Sequence, residues 1–114
     1  QEQFNNNSKY FKEILSVRRE VFCGEEGEKP SFVKDNRDEK GVHVVCAVKD
    51  TVVGCGSLYD NGNGELEISR IAVKKDKRGL GLGEKIVLEL LRKSKEEGAK
   101  TVRVGAQTHA VGFY

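Results

Sequence analysis

Apolar side chains early in the chain recur at steps of three and four: Phe11, Ile14, Leu15, Val21 and Phe22, with Lys12, Glu13, Ser16, Arg19 and Glu20 opposite. That period predicts an amphipathic helix, with Ser8 as its N-cap and its end near Cys23-Gly24. Residues 25–40 break the pattern. They carry Glu25, Glu26, Glu28, Asp35, Asp38 and Glu39 against Lys29, Lys34, Arg37 and Lys40, with the single Pro of the chain, and read as an acidic loop with room for a helical turn. The period then shortens. Residues 42–49 are rich in β-branched side chains, Asp50-Thr51 can turn, and 52–59 follow, which predicts a hairpin. Asp60-Asn61-Gly62-Asn63-Gly64 is a stronger turn signal, since Asn and Gly accept the positive φ of tight hairpins, and residues 65–73 form the next antiparallel strand. A basic, glycine-rich loop spans 74–83. A helix is predicted over about 84–97, with Leu82, Ile86, Leu90 and Ser94 on one face, joined by Val87 and Leu91, and Gly98 as its stop. Residues 101–106 form a last strand, which the βαβ rule makes parallel to 65–73. The fold class is α+β: a mixed, mostly antiparallel sheet flanked by helices.

The 114 residues make one domain, 1–114. The longest apolar run, Val44 to Val48, has five residues, whereas a membrane span needs about twenty and a signal peptide about seven to fifteen. The expectation is therefore a soluble, unexported, cytoplasmic protein. Cys23, Cys46 and Cys55 are odd in number and show no C-x-x-C spacing, so they are expected as structural thiols. With two His and no ligand spacing, no metal is expected. Twenty Lys and Arg against 18 acids give a net charge of +2, too balanced to imply nucleic-acid binding. The missing initiator Met and the aromatic ending Gly112-Phe113-Tyr114 suggest a chain trimmed at both ends.

The chemically informative stretch runs Ile68-Ser69-Arg70-Ile71-Ala72-Val73, Lys74-Lys75-Asp76-Lys77, then Arg78-Gly79-Leu80-Gly81-Leu82-Gly83-Glu84. A strand delivers the chain to three alternate glycines and a helix begins at once. Glycines let backbone N–H groups face inward, and a helix N-terminus adds free donors and partial positive charge. Such a loop suits a phosphate or pyrophosphate, and the neighbouring cations favour a polyanion. A P-loop fails on spacing, because counting from Gly79 puts Glu84 at the second glycine and no Lys-Ser/Thr pair follows. A dinucleotide fingerprint fails at Glu84 too, and the next strand ends in Gln107. What remains is R-x-x-G-x-G, met by Arg78, Gly81 and Gly83.

That motif, after an apolar-Ala-Val strand end and before a helix, a strand and Ala106-Gln107-Thr108-His109-Ala110-Val111-Gly112-Phe113-Tyr114, resembles the GNAT superfamily of acyl-CoA N-acyltransferases. Val17-Arg18-Arg19-Glu20-Val21-Phe22 is similar to the family's first helix. The resemblance implies that Arg78, Gly79, Leu80, Gly81, Leu82, Gly83 and Glu84 bind the coenzyme A pyrophosphate, and that Ile71, Ala72 and Val73 pair with the pantetheine arm beside a bulge. It implies acetyl-CoA as cosubstrate, with Lys74, Lys75 and Lys77 near its 3′-phosphate. Phe113-Tyr114 matches the start of a family motif whose Tyr protonates the departing thiolate, which makes Tyr114 the implied general acid. It also implies a domain that continues past Tyr114 through a helix and two strands, or is completed by a partner such as a second copy of the chain.

An amine acceptor must lose a proton before it attacks a thioester. Glu26, Glu67 and His109 are the candidates, and the sequence does not choose among them. Arg70 stands next to the cofactor strand; it either binds an acceptor or pairs with Glu67 or Glu65. The expected activity is acetyl transfer from acetyl-CoA to a primary amine of a small molecule or peptide, by direct attack in a ternary complex. The acidic 25–39 loop would favour a cationic amine. A coenzyme A-binding module without turnover, and a binder of some other phosphate ligand, are the competing readings.

Overall fold

The computed structural model describes residues 2–5 and 10–104. Five strands form one sheet in chain order: β1 (Glu2–Asn5), β2 (Val42–Val48), β3 (Thr51–Gly62), β4 (Glu65–Val73) and β5 (Thr101–Val104). The first three pairings are antiparallel, and β4–β5 is parallel, as the intervening helix requires. β1 has no counterpart in the sequence reading. Helix α1 (Phe11–Arg18) begins later than expected, after Tyr10 and without a side-chain cap, and Ser8 lies outside the described residues. It also runs on past Cys23-Gly24. A wide π-type stretch (Arg19–Glu25) continues it, closed by the Glu26 N–H donating to the Val21 carbonyl at 3.2 Å. Helix α2 (Leu82–Glu96) starts two residues before the predicted Glu84. Residues 105 and 106, predicted as the end of the last strand, lie outside the described residues.

Both tight turns use paired left-handed residues, the geometry that matches strand twist. Asn63 and Gly64 have φ of 57° and 80°, as their types suggest. The first hairpin turns at Lys49 and Asp50, at 51° and 65°, one residue earlier than Asp50-Thr51.

Alternating side chains give the sheet two apolar faces. On one, Ile14, Val17, Val21 and Phe22 of the first helical segment pack on Val45, Val52, Cys55 and Ala72. On the other, Leu82, Ile86, Val87 and Leu90 of α2 pack on Val44, Cys46, Val53, Leu58, Ile68, Ile71 and Val73. Leu91, expected on the buried face of α2, is exposed. Gly56 makes the α2 contact possible, since a Cβ there would lie 2.4 Å from Ile71 Cδ1 and 2.7 Å from Ile86 Cγ2.

Opposite Gly56 the ladder slips. Cys55 pairs with Ala72 and Ser57 with Ser69, so Arg70 and Ile71 together face one residue, and Arg70 takes the left-handed φ of 56°. This is a β-bulge, and it bends the second half of β4. The β4–β5 pairing covers Glu65–Ile68 against Thr101–Val104, while residues 69–73 run on to the glycine loop. The bulge thus separates the half of β4 that pairs with β5 from the half that borders the cleft.

Candidate active site

A cleft of about 310 Å³ lies where β4 passes into α2, lined by Ile71, Val73, Lys77, Arg78, Gly79, Gly81, Leu82 and Gly83. Gly79 and Gly81 have φ of 83° and 76°, a conformation that L side chains rarely adopt, and Gly81 is the N-cap of α2 without a side-chain cap. The first intrahelical bond is donated by Lys85 N–H to the Gly81 carbonyl at 3.1 Å. The N–H groups of Leu82, Gly83 and Glu84 therefore lie ahead of the helical ladder, where the helix dipole is positive. Lys77 and Arg78 add two cations to the lining. Such a site receives a phosphate through fixed donors and adds charge at its rim.

Of the ten predicted cofactor residues, seven border this cleft. Ala72 faces the α1 side of the sheet, Leu80 is 61% exposed, and Glu84 is exposed on the first turn of α2. Tyr114 and His109 lie outside the described residues. Glu26 is exposed at the end of the π-type stretch.

Arg78 is held on both sides. Its Nε–H donates to the Val73 carbonyl at 3.1 Å, and Nη1 and Nη2 grip the Glu25 carboxylate at 2.6 and 2.7 Å. Glu25 is one of three acids in the 25–40 segment that pair with arginines. Asp35 accepts from Arg37 and from Arg70, the latter at 3.3 Å, which gives Arg70 an acid partner beyond the Glu67 and Glu65 expected for it. Hydrogen bonds from Arg37 hold the Asp35 carboxyl down at about 2. Half of the six acids of the segment are thus engaged with arginines within the fold, which weakens it as a lure for a cationic acceptor.

The third acid, Asp38, belongs to a buried network. Arg18 is fully buried and donates to Asp38 at 2.9 and 3.1 Å, to Ser57 Oγ and the Val33 carbonyl at 2.8 Å each, and to the Tyr59 hydroxyl at 3.2 Å. Tyr59 in turn donates to Asp38. Burial opposes the Asp38 charge, yet the bonds from Arg18 and Tyr59 outweigh it and keep the carboxyl below its ordinary value. Burial, aided by the neighbouring Asp38, pushes the Tyr59 hydroxyl up. His43 is satisfied at both ring nitrogens: Nε2 meets the Asp38 carbonyl at 2.8 Å and Nδ1 the Ser57 hydroxyl at 2.7 Å. A carbonyl only accepts, so Nε2 is the donor in its contact with Asp38. The network pins segment 33–40 across the sheet.

Burial pushes the Cys55 thiol up to about 12, in keeping with the structural thiol expected there. Glu67 is engaged by Asn61 at 2.8 Å and Arg37 at 3.2 Å; burial opposes its charge, but these bonds prevail and lower its pKa, which makes it a poor base. The role of Arg18 carries no signal in the sequence pattern. Its place among charged neighbours, beside Arg19 and Glu20, masked it.

A family model described as the acetyltransferase (GNAT) family matches residues 9–114. The chain belongs to the GNAT acetyltransferase family. An uncharacterized N-acetyltransferase of Bacillus subtilis strain 168, YjcF, is 33% identical over 109 residues, covering 95% of this chain and 76% of the relative. In fold, the GNAT domain superposes on Escherichia coli ElaA with a TM-score of 0.81, at 21% identity over the whole of this chain and 82% of ElaA. A GNAT acetyltransferase from Brucella melitensis, crystallised in complex with acetyl-CoA, gives a TM-score of 0.81 at 18% identity, with 99% of this chain and 81% of that one covered.

Proposed function

We propose that this GNAT chain is an N-acetyltransferase that takes acetyl-CoA in the cleft between the second half of β4 and the start of α2. The observation that carries this reading is the loop itself: two left-handed glycines, the uncapped first turn of α2 and the flanking Lys77 and Arg78 together form a receptacle for a pyrophosphate. Beyond the bulge, Ile71 and Val73 line the same cleft, which supports the reading that this half of β4 pairs with an extended arm and offers an N–H to a thioester carbonyl. The acceptor is a primary amine of a small molecule or peptide. Its nitrogen attacks the carbonyl carbon directly, the new C–N bond forms as the C–S bond breaks, and the thiolate leaves with a proton. Tyr114 is the acid that supplies this proton, and Glu26 or His109 takes the proton of the amine.

A thiol-release assay with acetyl-CoA and an amine panel tests this reading together with a thermal melt. The expected result is a raised melting temperature with acetyl-CoA, lost in Gly81→Glu, and thiol release with at least one amine. Thermal protection without release from any amine makes the chain a coenzyme A-binding module, and stronger protection by ATP or NAD rejects the coenzyme A site.

A further inference from the structure

The grip of Glu25 on Arg78 joins residues 53 positions apart, linking the end of the first helical segment to the rim of the cofactor cleft. It is a two-point fork of the kind that an arginine also makes with a phosphate. Arg78 lines the cleft, and its side chain is 35% exposed against 25% for Glu25, so both can be reached from solvent. A carboxylate in this position cancels one of the two cations of the lining. It also stands where a polyanion is to be received, and like charges at that spacing repel. The backbone under Glu25 is suited to letting it go. It ends a π-type stretch, a geometry frequent at functional sites, and lies between Gly24 and Gly27, the latter at a φ of 70°.

We infer that Glu25 is an internal stand-in for the pyrophosphate: Arg78 exchanges the Glu25 carboxylate for a phosphate oxygen pair when the cofactor enters, and the 24–28 turn that carries Glu26 is released at that moment. This inference rests on the acetyl-CoA site proposed above. Val73 keeps its hold on Arg78 Nε throughout, so the guanidinium pivots about a fixed bond.

Calorimetric titration with coenzyme A of four proteins decides the matter: wild type, Glu25→Gln, Arg78→Gln and the double variant, with Glu25→Ala as a second removal of the carboxylate. A lost structural tie can only weaken binding, whereas loss of a competing anion strengthens it. The expected result is coenzyme A bound about two- to fivefold more tightly by Glu25→Gln and Glu25→Ala, the range that a partly exposed ion pair supports, and more weakly by Arg78→Gln. In the Arg78→Gln background, Glu25→Gln should change affinity by less than about twofold, because the competition has lost its object. Equal or weaker binding by both Glu25 variants, with ligand-free melting like that of wild type, overturns the exchange while leaving the cofactor site intact. So does a gain that persists without Arg78. Failure of the wild type itself to bind coenzyme A removes the site and the exchange together.

Discussion

Replacing Arg18 by Met should cost about 3–5 kcal/mol, the penalty for leaving a buried charge without its partner. The magnitude follows from what remains. Arg18 is wholly buried, and its five hydrogen bonds reach Val33, Asp38 twice, Ser57 and Tyr59. Met fills much of the same volume but donates nothing. Asp38, 8% exposed, would keep only the Tyr59 hydroxyl and the Asp35 N–H at 2.8 Å. Asp38→Asn leaves the guanidinium buried against a neutral partner and should cost a further few kcal/mol on its own, about 2–4. The double variant removes both charges, so its cost should fall short of the sum of the single costs by about 2 kcal/mol or more. Urea unfolding at pH 7, followed by circular dichroism, supplies the cycle. The pH dependence gives a second check. In the wild type the depressed Asp38 carboxyl contributes stability that is lost as pH falls, and without Arg18 burial is opposed only by the Tyr59 and Asp35 bonds, so that carboxyl rises. The deficit of Arg18→Met should therefore shrink between pH 7 and pH 4. Single costs below about 1 kcal/mol, or costs that add within about 0.5 kcal/mol, would refute the reasoning.

Three further outcomes follow from the packing and the charges. Gly56→Ala drives a Cβ to within 2.4 to 2.9 Å of Ile71, Ile86 and Leu90, and should lower stability by about 1–3 kcal/mol in a urea titration; an unchanged midpoint would mean that the bulge relaxes freely. The Asp35 carboxyl, held at about 2 against 3.8, contributes stability that is complete above about pH 4 and lost as pH falls toward 2, worth about 1–2 kcal/mol. Acid titration of Asp35→Asn should lack that loss. Thiol labelling of the native protein should modify half-exposed Cys23 first, with Cys46 and Cys55 reacting only on unfolding, and fast labelling of Cys55 would contradict its burial.

What could be read in advance was local. Asn63-Gly64, the span of β4 and the burial of Leu82, Ile86 and Leu90 follow from turn chemistry and periodicity, which act over a few residues. The glycine loop was legible for the same reason, because its donors come from the backbone of one contiguous segment. Misreadings arose where distant contacts overrode local preference. Gly24 suggests a helix end, yet the π-type bonding carries the helix past it; Lys49 carries no turn signal, yet register places it in one. The bulge at Arg70 and the ties of Glu25 to Arg78 and Arg18 to Asp38 join residues brought together only by the folded sheet. Their types and spacing leave no mark that periodicity can detect.

Amide hydrogen exchange, measured residue by residue with and without saturating acetyl-CoA, is the most direct test of the cofactor cleft. Binding there predicts slowed exchange at Ile71 to Val73 and Gly79 to Glu84, with the Lys49-Asp50 turn unchanged. Equal exchange at these amides in the presence of acetyl-CoA, or slowing confined to another part of the sheet, would contradict it.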